Sequence, residues 1–216
     1  MLQPEFQIPP LFAYFALFLW ALSGAIVGMH KRYDLAGVFV IALLASTGGS
    51  TLRDGLFLQT MPPVLTNGWY IILTMLATIA VGFFRDRIAR MTLVDRVINV
   101  IDALGVPAFA VIGMQLSLAA EVPLPGVVLI GMVNGFGGGI LRDLMVGDTP
   151  VALKPGRFYV SAAFLVCVLF VVLVTVLDVN NTVAAWIVIA LFVLIRVLSL
   201  RYDWRTQPIL PPHGPQ

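Results

Sequence analysis

The chain has 216 residues, of which 60% are hydrophobic and 11% are charged, and its formal net charge is +2. Ordinary soluble domains are far less apolar, so this composition excludes that class. A bilayer core is about 30 Å thick, and a spanning helix needs roughly 20 apolar residues, a length that several runs of this chain reach. The composition therefore predicts an all-α, polytopic membrane protein.

Seven apolar runs predict seven transmembrane helices. In chain order they lie near residues 10–29, 35–60, 69–84, 97–119, 125–147, 158–177 and 182–200. The second and fifth runs are long and contain clusters of glycine, which predicts two broken helices. Only Glu5 is charged before the first run, unlike the basic start of a signal peptide, so we expect this run to be retained.

Basic residues mark one side of the predicted membrane protein. They are Lys31, Arg32, Arg85, Arg87, Arg90, Lys154, Arg157, Arg201 and Arg205. The opposite side carries Glu5, the segment 61–68, Glu121 and Asp178, without a Lys or Arg. The positive-inside rule then places the N-terminus outside and the C-terminus in the cytoplasm. These basic residues also suit the headgroups of membrane lipid, and their spread along the chain is a topology signal rather than a nucleic-acid surface.

One sequence motif occurs twice in the chain. GGSTLRD at residues 48–54 matches GGGILRD at residues 137–143, 89 positions further on. Each copy falls in the middle helix of a three-helix unit, and an odd number of spans turns the second unit over relative to the first. We therefore predict a first repeat over 1–89, an inverted second repeat over 90–178, a seventh helix over 179–205 and a polar tail over 206–216.

The glycine clusters of the two motifs have two interpretations. Their members are Gly48, Gly49 and Ser50 in the first copy and Gly137, Gly138 and Gly139 in the second. Glycine destabilises a helix interior by about 1 kcal/mol relative to alanine, so a cluster permits a kink or local unwinding. Opened carbonyls that line a watery cavity would replace part of a cation's hydration shell. The alternative is close packing of helices through small residues.

Each motif ends in an Arg-Asp pair, Arg53 with Asp54 and Arg142 with Asp143. A charge at the bilayer centre costs roughly 2.5–3.5 kcal/mol on insertion scales. Adjacent residues on a helix point about 100° apart, so we expect each charge to find its partner outside its own motif. That partner is a carbonyl end, water or a charge of the other repeat. The charges then either lie along a pathway or lock the two repeats together.

Four further polar residues of the predicted spans are candidates for lining a pathway. Thr47, Ser46 and Asn134 flank the glycines, and they either line a hydrated path or bond to the backbone of their own helix. Asp102 lies about five residues into the fourth span, where it either faces water or caps the helix. We favour the cap, because a helix N-terminus stabilises negative charge.

The doubled motif resembles that of the prokaryotic trimeric intracellular cation (TRIC) channels, a family also described as a glycine transporter domain family. GGSTLRDG and GGGILRDLMVGDTP carry the resemblance, which extends over about residues 10–200. It implies a homotrimer in a bacterial or archaeal inner or plasma membrane, with one pore per protomer along the kinked second and fifth helices. It implies a permeant monovalent cation, chiefly potassium, with sodium as the alternative, and no cofactor. Ser50 departs from the triple glycine, which implies a milder first kink.

Three functions compete on the sequence. A passive cation channel is the leading hypothesis. A secondary transporter of a small solute such as glycine is the rival, because inverted repeats and helix starts that bind carboxylates are typical of transporters. An enzyme is not expected, since His30 and His213 are the only histidines, both lie outside the apolar runs, and no metal-ligand cluster is present in the sequence.

Overall fold

The computed structural model describes residues 10–89, 94–154, 159–202 and 204. Within these residues all regular structure is helical. The α-helices are α1 (Pro10–His30), α2 (Leu35–Leu52), α3 (Pro63–Thr66), α4 (Trp69–Phe83), α5 (Arg85–Ala89), α6 (Val94–Ala119), α7 (Leu124–Met145), α8 (Val160–Thr175) and α9 (Asn181–Arg201). A π-helical segment, Arg53–Leu58, extends α2, and a 3₁₀ turn covers Val151–Leu153.

The long helices fall where the apolar runs predict them. In the described part of the chain, α1, α6, α7, α9 and the extended α2 are long and apolar enough to cross a membrane. The other two predicted spans are the shorter apolar helices α4 and α8, of 15 and 16 residues. The fold is therefore that of a polytopic helical membrane protein.

Local chemistry sets the ends of these helices. The Asp34 carboxylate accepts a hydrogen bond from the N–H of Gly37 at 2.8 Å and so caps α2, and Asn180 caps α9 in the same way. Glu121 ends α6 and Gln59 ends the π-helical segment, each with a left-handed backbone (φ 56° and 52°). The capped starts and left-handed ends separate the helices with short connections.

Among the described residues, the seven longer helices form two units of three with one helix added, and the short helices α3 and α5 are not counted in these units. In the first unit α1 packs on α2 and α4, and in the second α7 packs on α6 and α8. The middle helices α2 and α7 pack on each other, which joins the two units, while α9 packs on α6 and α8. The larger apolar core is formed mainly by the second unit and α9, and it includes Phe170 and Phe192, both fully buried. This arrangement places the two copies of the sequence motif face to face.

Helix α4 has one exposed, apolar side and one buried side that carries hydroxyl groups. Its large apolar side chains Ile72, Leu76 and Ile79 are exposed. Its hydroxyl side chains Thr74 and Thr78 are buried, and each bonds to a carbonyl one turn earlier. Apolar residues outside and small polar residues at helix contacts are typical of packing in a membrane.

The glycines do not interrupt either middle helix. Helix α2 continues through Gly48 and Gly49, and its form changes only at Arg53, where the π-helical segment begins. Helix α7 runs as one α-helix through Gly137, Gly138 and Gly139. The prediction that the glycines break the helices is therefore wrong for this conformation, and the physical reason is the close helix contact described below.

Several predicted features lie outside the described residues. They are Glu5, Arg90, Arg157, Arg205 and the tail 206–216.

Candidate functional site at the crossing of the two motifs

The glycines bring the backbones of α2 and α7 into direct contact. A Cβ added to Gly49 would collide with the carbonyl oxygen of Asn134, and one added to Gly138 would collide with the carbonyl oxygen of Ala45. Gly138 lies 89 positions after Gly49, and Ala45 lies 89 positions before Asn134, so the second contact repeats the first with the two motif copies exchanged. The contacts are therefore related by the two-fold relation between the repeats, and the packing interpretation of the glycines describes this structure.

The outer glycines of the clusters complete the contact. A Cβ on Gly137 would lie 3.0 Å from the Cα of Gly49, and one on Gly48 would lie 2.7 Å from the Leu141 side chain. Gly139 has turned away from α2 and faces the Trp20 ring, 3.2 Å from an added Cβ. Its counterpart Ser50 donates instead to the carbonyl of Thr47 at 2.9 Å.

Each arginine is paired with the aspartate next to it. Arg53 donates from Nε and Nη2 to the two carboxylate oxygens of Asp54, both at 2.6 Å, and the two side chains are only 5% and 4% exposed. Arg142 donates from Nε to Oδ1 of Asp143 at 2.8 Å, and its Nη2 lies 2.8 Å from the same oxygen in an ion pair. The prediction that the charges find their partners outside their own motif is wrong. The Cβ atoms of adjacent helix residues point about 100° apart, but the arginine side chain is long enough to reach the neighbouring carboxylate. The ion pair that forms leaves neither charge isolated in the buried interface.

A further hydrogen bond connects each arginine to the other repeat. Arg53 Nη1 donates to Oδ1 of Asn134 at 3.2 Å, and Arg142 Nη1 donates to Oγ of Ser23 at 2.6 Å. All of these side chains are buried. The neutralised pairs therefore also hold the two repeats together.

The Asn134 side chain connects three helices at the crossing. Its Nδ2 donates to the carbonyl of Phe109 at 2.5 Å while its Oδ1 accepts from Arg53. It fits because Gly113 leaves room for it, since a Cβ there would lie 2.8 Å from the Cβ of Asn134. One amide thus joins α2, α6 and α7.

The hydroxyl groups near the crossing bond to their own helices. Thr47 donates to the carbonyl of Leu43 at 2.7 Å, and Ser46 donates to that of Ala42 at 2.9 Å. This matches the back-bonding alternative for Thr47. Ser46 and Ser50 also line a cavity at the crossing.

Three of the cavities among the described residues lie along this interface. The central cavity, at Gly49, Ser50, Asn134 and Gly138, measures about 10 Å³. The neck cavity, at Asp102, Arg142, Asp143 and Tyr159, also measures about 10 Å³. The vestibule, at Asn99, Arg142, Asp143, Asp148 and Lys154, measures about 100 Å³.

The three cavities adjoin one another through shared lining residues. Trp20 lines both the central and the neck cavity, and Arg142 and Asp143 line both the neck cavity and the vestibule. A cavity needs a volume of roughly 10–15 Å³ to hold one water molecule. The central and neck cavities therefore have room for about one water each, and the vestibule has room for several.

Asp102 lies in the neck and does not cap a helix. Helix α6 begins at Val94, so Asp102 is more than two turns into it and only 3% exposed. The preference for a cap is wrong because the polar residues before the apolar run are already helical. The structure instead places this carboxylate in the same cavity as Arg142 and Asp143.

Sequence reasoning missed four residues of this region, and a signal existed for one of them. Arg196 is 1% exposed in α9, and its guanidinium carbon lies 4.4 Å from the centre of the Tyr159 ring. Its Nη2 lies 3.4 Å from Oδ1 of Asn99. A charge inside the apolar run of the seventh helix was the available signal. Ser23, Asn99 and Tyr159 carry no charge, and only their three-dimensional positions distinguish them.

An exposed ion pair borders the vestibule. Lys31 at the end of α1 donates to Asp148 after α7 at 2.6 Å. The two side chains are 35% and 47% exposed, so the pair contributes little stability. It does place a basic residue of the first repeat beside the vestibule.

The fold and the site define a class of protein, namely a polytopic α-helical membrane protein whose two related units meet at a buried, charged interface. A family model described as Glycine transporter matches the chain twice, over residues 10–86 and 99–175. The chain belongs to this glycine transporter family. Each match covers one three-helix unit of the structure.

Relatives with similar sequences are described as membrane proteins. A UPF0126 membrane protein of Deinococcus radiodurans is 35% identical over 67% of this chain and 66% of its own length. The UPF0126 membrane protein YvgT of Bacillus subtilis is 28% identical over 90% of this chain and 93% of its own. The UPF0126 inner membrane protein YadS of Escherichia coli is 26% identical over 85% and 87%.

Solved structures of TRIC channels share the fold. A structure described as the structural basis for conductance through TRIC cation channels superposes on this chain with a TM-score of 0.84 at 25% identity. The match covers 96% of this chain and 100% of that chain. The TRIC trimeric intracellular cation channel orthologue from Rhodobacter sphaeroides gives a TM-score of 0.81 at 27% identity, covering 89% and 97%. These similarities confirm the resemblance to the TRIC family.

Proposed function

We propose that the chain is a channel for monovalent cations, chiefly potassium, and that each protomer contains its own pathway between α2 and α7. The observation that carries the proposal is the series of cavities at the crossing of the two motifs, where buried carboxylates lie along a two-fold interface. The similarity to structures of TRIC cation channels supports the same function. We propose no catalytic activity.

The neck cavity carries charged groups of both signs. Its lining includes the carboxylates of Asp102 and Asp143 and the guanidinium of Arg142, and the Arg196 guanidinium lies against its Tyr159 wall. In a low-dielectric interior, charged groups change the free energy of a nearby ion far more than they do in water. We propose that the carboxylate oxygens of Asp102 and Asp143 contact a cation that passes the neck.

Two backbone carbonyls are suited to contact the ion at the crossing. The carbonyl oxygens of Ala45 and Asn134 lie against Gly138 and Gly49, where no side chain covers them. A carbonyl that accepts its helical hydrogen bond retains a second lone pair. If the two repeats move apart at this contact, these oxygens would replace part of the hydration shell.

The described conformation corresponds to a closed pathway. Room for about one water in the central and neck cavities is too little for a hydrated cation. We propose that opening separates α2 from α7, while the Arg-Asp pairs stay closed so that no charge is left unpaired.

We propose that the protein is a homotrimer in a bacterial or archaeal membrane, in contact with lipid on its outer faces, with its N-terminus outside and its C-terminus in the cytoplasm. The description of the Rhodobacter sphaeroides channel as trimeric supports the assembly. The distribution of Lys and Arg supports the orientation.

Recordings in planar bilayers would test the proposed channel. Purified protein is reconstituted with a potassium gradient and without any other coupling ion. Discrete current steps that reverse near the potassium equilibrium potential are expected. The absence of current in these recordings, together with saturable uptake of glycine into liposomes, would overturn the channel proposal and support the transporter.

A transporter of a small solute such as glycine is the second candidate, because the matching family model bears that description. A glycine carboxylate that binds at the repeated motif would use the guanidinium of Arg53 or Arg142. Arg53 and Arg142 each hold a neighbouring carboxylate with two nitrogens, so binding there would first break an ion pair. This geometry favours the channel.

Two substitutions test the assignment of the pathway. Gly138→Leu fills the α2–α7 contact and Arg142→Ala removes the guanidinium between the neck and the vestibule, so both are expected to change the single-channel conductance. Gly82→Leu is the matched control, since nothing lies within 4 Å of a Cβ there. Folded Gly138 and Arg142 variants with the conductance of the wild type would assign both residues to packing alone.

A further inference from the structure

Helix α9 belongs to neither repeat, yet it carries a buried cation to the neck of the proposed pathway. Arg196 is 1% exposed although it lies in an otherwise apolar helix. Burying a guanidinium is costly unless it is paired, so its position requires specific partners. One of them is the ring of Tyr159, which the guanidinium covers at 4.4 Å.

The Tyr159 ring lies between α9 and the middle helix of the second repeat. On the side of α7 its nearest ring neighbour is Phe136, in an edge-to-face contact with centroids 4.9 Å apart. On the side of α9 it contacts Arg196 and, with centroids 6.1 Å apart, Phe192. The ring is 2% exposed and forms part of the wall of the neck cavity, beside Arg142 and Asp143.

The position of this ring affects the width of the neck directly. The neck cavity has room for about one water, so a shift of one aromatic wall changes whether an ion passes. A guanidinium stacked on a ring resists such a shift, because a desolvated cation–π contact is strong and directional. The contact between Arg196 and Tyr159 therefore favours the ring position in which the neck cavity is narrow.

We propose that α9 controls the neck through Arg196, which is a positioning residue that holds the Tyr159 ring as the closing wall of the pathway. The inference rests on the proposed channel function and adds a residue, outside both repeats, that sets the closed state. The alternative is that Arg196 only anchors α9 to the rest of the molecule.

Single-channel recordings of matched variants separate the two roles. Arg196→Met removes the cation but keeps the volume, and it is expected to raise the ratio of open to closed time roughly 30-fold. Arg196→Lys keeps the cation and is expected to stay within about 3-fold of the wild type. Tyr159→Leu removes the ring and is expected to match Arg196→Met, whereas Tyr159→Phe keeps the ring and stays near the wild type. Arg201→Met is the control, since Arg201 is exposed on the same helix.

The double variant completes the test. If Arg196 acts through the ring, Arg196→Met with Tyr159→Leu opens no more than either change alone. Additive effects would overturn the proposal, as would an Arg196→Met channel that gates like the wild type. Equal losses of folding in Arg196→Met and Arg196→Lys, without a change in gating, would assign Arg196 to anchoring.

Cysteine accessibility tests the inference without any current. Ala152 lines the neck cavity, and Cys167 is buried, so Ala152→Cys in a Cys167→Ala background provides one reporting thiol. Its reaction with a small cationic methanethiosulfonate reagent is followed in proteoliposomes. Arg196→Met is expected to speed this reaction roughly 10-fold, and an unchanged rate would overturn the inference. If the wild type carries no current, the channel proposal fails while this rate still decides the role of Arg196.

Discussion

The glycine contact between α2 and α7 allows a sharp test of the two-fold packing. Gly138→Ala adds a methyl group that collides with the carbonyl oxygen of Ala45, and Gly49→Ala adds one that collides with that of Asn134. Both obstacles are backbone atoms of a helix, which cannot rotate away as a side chain does. We therefore expect both variants to be less stable than the wild type.

The expected magnitude follows from two opposing terms. Overpacking costs about 1–3 kcal/mol, and a rigid backbone obstacle places these sites at the upper end. Alanine stabilises a helix interior by about 1 kcal/mol relative to glycine. The net loss is therefore about 2 kcal/mol for each variant, and it is similar for both because the repeat relates the two contacts.

Unfolding in mixed micelles of dodecyl maltoside and increasing sodium dodecyl sulfate, followed by circular dichroism, measures this loss. Gly82→Ala in α4 is the matched control, because a Cβ there meets nothing within 4 Å. It is expected to be neutral or stabilising. Gly49 and Gly138 variants as stable as this control would refute the close contact, and a loss at only one of the two sites would refute its symmetry.

Three further predictions concern the polar groups of the same interface and use the same unfolding measurement. Asn134→Leu leaves Arg53 without its third acceptor, and we expect a loss of about 1–3 kcal/mol; unchanged stability would show that the amide is not needed. Asp143→Ala leaves a buried guanidinium uncompensated, so we expect a loss of about 3–5 kcal/mol or failure to purify as a folded protein, and normal stability would contradict the buried pair. Lys31→Met removes only the exposed pair with Asp148 and should cost less than about 1 kcal/mol, whereas a larger loss would mean that this pair is structurally important.

Hydrophobic length and the doubled motif predict most of the fold. Apolar runs predict helices well because a membrane span has a minimum length and tolerates few charges. The repeat predicts two three-helix units of opposite orientation, each with the motif in its middle helix. These features depend on local composition or on comparison of the chain with itself.

The details of the site depend on what lies opposite each residue, which the sequence does not state. Glycine permits both an opened helix and a close contact, and only the facing carbonyls of Ala45 and Asn134 show that the contact is formed. The ion pairs depend on the reach of the arginine side chain, which an angle between Cβ atoms ignores. The prediction that Asp102 caps a helix is wrong because α6 begins before its apolar run, and hydropathy does not reveal these first polar helical residues.

The two arginines show how the sequence breaks the symmetry of the fold. Asn134 accepts from Arg53, but its equivalent 89 positions earlier is Ala45, which has no side-chain acceptor. Arg142 therefore cannot repeat the bond, and it turns to Ser23 of α1 instead. The middle helices are thus bonded directly to each other on the side of Arg53, whereas on the side of Arg142 the bond goes from α7 to α1. The vestibule lies on this second side, where α2 and α7 are not joined by an arginine. One repeated motif therefore closes the two ends of the interface in different ways, because a single position carries asparagine in one copy and alanine in the other.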